Sequence, residues 1–319
     1  MLILAPMQGL TELLFRKAFQ RCYPGAFDCA ISPFLSITHG NLRDATIKVE
    51  DVLPEVNEGS MPVIPQLLGH EAEGFVDLAN RLNELGYSEV NWNMGCPMRR
   101  VAAKHRGSGI LPYPDEVRSI LDSVVPRLKV ALSVKVRLGY YSIDEIDAII
   151  PILNDYPLAS VTVHPRTGKQ MYSGQVFLEK FAQILPQIKH NVVYNGDICT
   201  PYDYRRIRTL FPEVKDVMIG RGALYNPLLP MQIRAESPDD FNDAELSSQM
   251  QMTSAQVFIV SLVNDILQME VSNQAKIRKI KEYWCLLSKA LPGSEERKRK
   301  VLHASDLDAI LRLIEDMAK

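Results

Sequence analysis

Through its first two thirds the chain alternates short apolar runs with longer segments of helical spacing, and this alternation limits the fold more than any single residue. The spacing predicts strands at residues 2–5, 27–30, 63–69, 88–93, 130–138, 160–164, 191–195 and 216–220. Between them it predicts helices at 12–19, 71–84, 115–125, 144–153, 177–185 and 202–210, with Thr11 as the N-cap of the first. Strand–helix repeats joined by short loops specify a parallel sheet. Eight units in roughly 230 residues fit the (β/α)₈ TIM barrel, which takes about 250. A doubly wound sheet would open on a glycine-rich dinucleotide loop, and no such loop follows the first run. Residues 236–243 are polar and turn-forming, and from about Thr253 onward only helical periodicity remains, broken at Leu291-Pro292-Gly293. The expected organisation is a barrel over 1–235 and a small helical bundle over 244–319.

Composition removes several classes. The formal net charge of -2 advertises no polyanion partner for the chain as a whole. The apolar start, Met1 to Pro6, is too short for a signal peptide and lacks a basic head. No run is long enough to span a membrane. The five cysteines include no CxxC pair, which fits free thiols in the cytoplasm rather than disulfides or a zinc site. Nothing points to an obligate protein partner.

The strand ends carry polar residues that a plain barrel does not need. In Ser133-Val134-Lys135-Val136-Arg137 the valines share one face, and Lys135 and Arg137 share the other with Ser133. If the valines face the helices, the two cations face the lumen, where an unpaired charge is costly and an anionic ligand is expected. Asn195-Gly196-Asp197 and Gly220-Arg221-Gly222-Ala223 follow strands seven and eight, the usual phosphate loops of this barrel. Gln66, in an otherwise apolar strand, needs partners such as the edge of a flat heteroaromatic ring provides. Lys135 suits the negative charge of a reduced flavin. His164 closes strand six. Asn93-Met94-Gly95-Cys96-Pro97 ends strand four and places a thiol at the barrel mouth, able either to donate a proton or to attack as thiolate.

Ala5-Pro6-Met7-Gln8-Gly9, Pro65-Gln66-Leu67-Leu68-Gly69, Asn93-Met94-Gly95-Cys96-Pro97, Val134-Lys135-Val136-Arg137-Leu138-Gly139, His164-Pro165-Arg166-Thr167, Asn195-Gly196-Asp197 and Gly220-Arg221-Gly222-Ala223 occur in this order. Together they resemble the tRNA-dihydrouridine synthases. The resemblance implies an FMN enzyme that reduces the C5–C6 bond of a uridine in tRNA, with NADPH as reductant. It implies FMN contacts from Pro6, Met7, Gln8, Gln66, Asn93, Lys135, His164, Asn195, Gly196, Asp197, Gly220 and Arg221. Cys96 would protonate C5, and Arg137 and Arg166 would hold the nucleotide. Asn91 stands where the family usually has an acid, Pro165 where Gly or Ala is common, and Tyr194 where Ala is usual, so that Tyr194 is expected to narrow the flavin site.

Between Val271 and Leu302 there are nine basic and three acidic residues. Lys279, Lys298 and Arg299 in this stretch are the expected tRNA contacts, with Tyr283 and Trp284 among them. Two other readings share some of these features: an FMN barrel that reduces a free pyrimidine or an enone, and a tRNA-binding relative without catalysis.

Overall fold

The computed structural model describes residues 1–37, 49–235, 244–291 and 294–315. The linker expected at 236–243 and the break at Pro292-Gly293 lie outside the described residues. Among the described residues there are ten parallel strand segments, and they form eight strands. These are β1 (Leu2–Leu4), β2 (Cys29–Ile31 with Leu35–Ser36), β3 (Val63–Ile64 with Gln66–Leu68), β4 (Glu89–Met94), β5 (Ala131–Gly139), β6 (Leu158–Thr167), β7 (Val192–Asn195) and β8 (Asp216–Ile219).

The two halves of β2 pair with the two halves of β3, as Ala30 with Val63 and Leu35 with Leu67. β1 pairs with both β8 and β2, so the ladder closes into a ring. Pro65 interrupts β3 because it has no N–H to give the ladder. Ser32 bridges the gap: its N–H donates to the Ile64 carbonyl at 3.0 Å, and its hydroxyl accepts from the Gln66 N–H at 3.1 Å.

The period-2 pattern sorts the side chains as predicted. Val90, Trp92, Met94, Val134 and Val136 pack outward into the core shared with the helices. Ile3, Ala5, Ile31, Val193 and Met218 form a separate small cluster inside the ring. All six expected barrel helices are found, including Leu13–Cys22, Ala72–Glu84 and Pro114–Val124. Thr11 does not cap the first of them. Its hydroxyl is buried, donating to the Ala5 carbonyl at 2.9 Å and accepting from the Met7 N–H at 2.8 Å. The loop after β1 therefore takes the hydroxyl that the helix end would have used.

The C-terminal part consists of helices Ala244–Leu267, Asn273–Leu287, Ser294–His303 and Leu307–Glu315. It docks on the first barrel helix through aromatics. The Phe258 ring lies 5.4 Å from both Phe15 and Phe19, and Tyr283 stacks on Phe15 at 5.9 Å. Tyr283 also donates its hydroxyl to the Leu10 carbonyl at 2.8 Å. The core is continuous across this contact.

Candidate active site

A cavity of about 520 Å³ opens at the C-terminal ends of the strands. Its lining includes Pro6, Met7, Gln8, Asn93, Cys96, Lys135, Arg137, His164, Asn195, Gly196, Asp197, Gly220 and Arg221, which is most of the expected set. Leu286, from the C-terminal helix Asn273–Leu287, also lines it. No sequence signal marked Leu286, since it is one apolar residue in a helical run.

Charge dominates this cavity. Arg100, Lys135, Arg137 and Arg221 line it, and Asp197 is the only carboxylate among its described lining residues. Asp197 is already held by Arg166 at 2.5 and 2.9 Å and by Arg221 at 2.9 Å. Burial, aided by repulsion from Arg137, pushes the Lys135 ammonium down to about 7. Burial pushes Arg137 down to about 10. His164 falls well below its ordinary value, through burial and then through Arg137, Lys135 and Arg166. The His164 Nε2 stands 3.1 Å from Nη1 of Arg166. A guanidinium only donates, so this nitrogen accepts and the imidazole is neutral with its proton on Nδ1. Such a site favours a ligand that brings negative charge.

Cys96 is fixed from both sides. Its N–H donates to Oδ1 of Asn93 at 2.8 Å, and its carbonyl accepts from the Ser108 N–H at 3.0 Å and hydroxyl at 2.9 Å. Asn93 is the end of a buried chain of amides whose direction follows from chemistry. The N–H groups of Gly95 and Cys96 can only donate, so Asn93 turns its oxygen to them. Its nitrogen then donates to Oε1 of Gln66 at 2.7 Å, Gln66 donates to Oδ1 of Asn91 at 2.8 Å, and Asn91 donates to the Ser133 hydroxyl at 2.9 Å. Asn91, unassigned by the sequence, is the acceptor that Gln66 requires.

Burial raises the Cys96 pKa above its ordinary value, against the opposing pull of Arg137, Arg100 and Lys135. The thiol is therefore protonated at neutral pH. Gly107 packs on it with φ at +57°, and a Cβ there would stand 2.7 Å from both Cβ and the carbonyl oxygen of Cys96. Gly107→Ala is expected to displace the thiol and slow any step that uses it about 10²-fold, the cost of a displacement near 1 Å. Flavin content should be retained. Wild-type turnover in this variant would show that the position of Cys96 is unimportant.

Several expected residues sit elsewhere than the cavity. Gln66 is fully buried behind it in the amide chain. Arg166 is also buried away from the lining, tied to Asp197 and to the Gly174 carbonyl at 2.6 Å, so it shapes the loop after β7 and has no nitrogen facing a nucleotide in the cavity. Tyr194 turns outward, against Phe181 and Phe211, as its register in β7 requires, and does not narrow the lumen. Lys279 donates to the Gly9 carbonyl and to Glu12 at 3.0 Å, tying its helix to the loop after β1. Lys298 lies 3.7 Å from Glu295, whereas Arg299 is exposed. Tyr283 and Trp284 are buried.

The family model for dihydrouridine synthase (Dus) matches residues 3–318. The chain belongs to the dihydrouridine synthase family. A tRNA-dihydrouridine(16) synthase of Cupriavidus necator is 32% identical over 250 residues, covering 75% of this chain and 76% of the relative. Another, from Ralstonia nicotianae, is 30% identical over 252 residues, covering 76% of each. The same enzyme of Neisseria meningitidis serogroup B is 27% identical over 327 residues, covering 100% of this chain and 95% of the relative. Among solved structures, an old yellow enzyme homologue from Zymomonas mobilis superposes with a TM-score of 0.52 at 16% identity, over 74% of this chain and 89% of that one. That likeness supports the barrel alone.

Proposed function

We propose that this dihydrouridine synthase family member reduces a uridine of tRNA to 5,6-dihydrouridine with FMN as its flavin and NADPH as the reductant. The observation that carries the reading is one cavity that joins a fixed, protonated thiol to a cation-rich wall, in a chain matched along its whole length by the family. FMN fits that wall. Its phosphate suits the lips formed by Asn195–Asp197 and Gly220–Arg221, and its ring suits the space beside Lys135 and Asn93. Gly222 lets these lips close, since a Cβ there would meet the Ile198 carbonyl at 2.0 Å. When bound, FMN supplies the hydride for C6 of the uracil.

The chain's own residues do the rest. Lys135 offsets negative charge beside the ring, and the neutral His164 donates from Nδ1. Asn93 and Arg137 line the same cavity, and the Tyr172 ring lies 5.4 Å from the Arg137 guanidinium. Cys96 gives its proton to C5 and is returned to the thiol form by solvent. Residues 1–235 would form the catalytic unit and 244–319 the unit that grips tRNA, in the cytoplasm where free thiols persist. The relatives named for position 16 lead us to place the reaction at uridine 16.

The purified protein should be yellow and release FMN, not FAD, on denaturation. Mapping of dihydrouridine in tRNA from a strain lacking the gene should show loss at position 16. A colourless protein that ignores added FMN, or a tRNA profile without change, would refute the reading. Turnover of a free pyrimidine or enone with no effect on tRNA would replace it.

A further inference from the structure

The cavity mouth has two lips outside the catalytic set. One is the segment that follows Cys96. Residues 98–106 contain Arg99, Arg100, Lys104 and Arg106 and no acid. Met98, Arg100 and Val101 line the cavity, so the segment sits at its entrance. Arg99, Arg100 and Lys104 are exposed, and no carboxylate pairs with them among the described residues. The C-terminal basic run is partly engaged: Lys276 donates to the Leu267 carbonyl at 2.6 Å, Lys279 to Gly9 and Glu12, and Lys298 and Lys300 pair with Glu295 and Glu296, which leaves Arg278 and Arg299 exposed.

The other lip is the loop after β5, which does not itself line the cavity but packs beside it, its Tyr140 ring and the Ser108 hydroxyl that holds the Cys96 carbonyl both crowding Gly168. Tyr141 is 64% exposed, with the Tyr140 ring 4.7 Å away edge-on and the Lys169 ammonium 5.4 Å from its centre. A large aromatic face held out to solvent beside a cation is a poor use of core material. It is a good platform for an unstacked base.

We propose that these two lips grip the RNA strand on either side of the extruded base, with Arg99 and Lys104 on phosphates and Tyr141 under a neighbouring base. The inference rests on tRNA being the substrate. A base that enters the cavity must leave its stack, and its neighbours then present a bare ring face and exposed phosphates at the mouth. Phosphate contacts give affinity that falls with salt, and ring stacking gives affinity that does not. The two lips therefore leave different signatures.

The test measures tRNA binding to the flavin-loaded full chain against salt concentration. Arg99→Glu with Lys104→Glu should weaken binding and reduce the salt slope by about 2. Tyr141→Ala should weaken binding roughly tenfold with the slope unchanged, and Tyr141→Phe should bind as wild type. Flavin reduction by NADPH without tRNA should be the same in all of them, which also reports that they fold. Lys298→Glu with Arg299→Glu serves as the comparison and should change the slope less than the Arg99 and Lys104 pair. If wild type binds and reduces tRNA while the lip variants match it, or if the C-terminal pair carries the larger slope, the lips are not the grip. If wild type neither binds nor reduces tRNA, the assignment of substrate fails instead.

Discussion

Cys96→Ala should oxidise its reduced flavin with tRNA about 10²–10⁴-fold more slowly than wild type, the usual contribution of a general acid. Hydride arriving at C6 leaves enolate-like charge on the uracil, and that charge is quenched only when C5 gains a proton. Reduction of the flavin by NADPH needs no protein acid and should stay near the wild-type rate. Two features favour the proposed role of Cys96 as proton donor over that of a resting nucleophile. Burial pushes its pKa up, so the thiol carries its proton at neutral pH. Its main chain is clamped by Asn93 and Ser108, which fixes where that proton is presented. Cys96→Ser should remain slow, because an alcohol is a far weaker acid than a thiol. A nucleophilic role would instead leave a covalent adduct with tRNA during normal turnover. Stopped-flow oxidation of the reduced protein by tRNA separates these outcomes. A Cys96→Ala protein as fast as wild type would remove Cys96 from the mechanism.

The barrel was legible because its signal is periodic. Alternation in β5 placed Lys135 and Arg137 on the lumen side without any knowledge of the sheet, and the register of β7 by the same rule turns Tyr194 outward. The partners of polar groups were not legible. Gln66 was expected to meet a ring, but Asn91 and Asn93, distant from it in sequence, already occupy its amide. Arg166 was expected to meet a nucleotide, but Asp197, on the next strand's loop, takes both of its terminal nitrogens. Lys279 looked like one cation among many, yet it bridges to the loop after β1 across 270 positions of sequence. In each case composition states that a polar group needs a partner, and only the folded chain states which one it finds.

Lys135→Met should make the flavin-free protein more stable at neutral and lower pH and should also cost it on the order of 10²-fold in affinity for reduced flavin. Both effects come from one half-buried ammonium in the cavity wall, with no carboxylate beside it among the described residues. Its pKa falls to about 7 in the folded chain from 10.5. Below about 7 the folded protein carries the full cost of that charge. Between about 7 and 10.5 the unfolded chain binds more protons than the folded one, so stability rises with pH across this window. Methionine has nearly the same length and carries no charge, so the rise should vanish in the variant. Cys29, Cys96 and Cys199 are pushed up by burial and titrate with the opposite sign, so the difference between wild type and variant is the quantity to read. His164 does not interfere, because it is neutral in both states above pH 7.5. The anionic ring of a reduced flavin beside Lys135 would restore its proton, so binding of reduced flavin would take up a proton above pH 7. Wild-type affinity should therefore weaken as pH rises from 7 to 9. Removing one partner of a desolvated charge pair costs about 2–5 kcal/mol, which sets the loss of affinity in the variant. Thermal unfolding of the flavin-free forms, with anaerobic titration of reduced FMN from pH 6 to 9, measures both. If Lys135→Met binds reduced FMN as tightly as wild type, with the same pH dependence, the ammonium is not the counter-charge of the flavin.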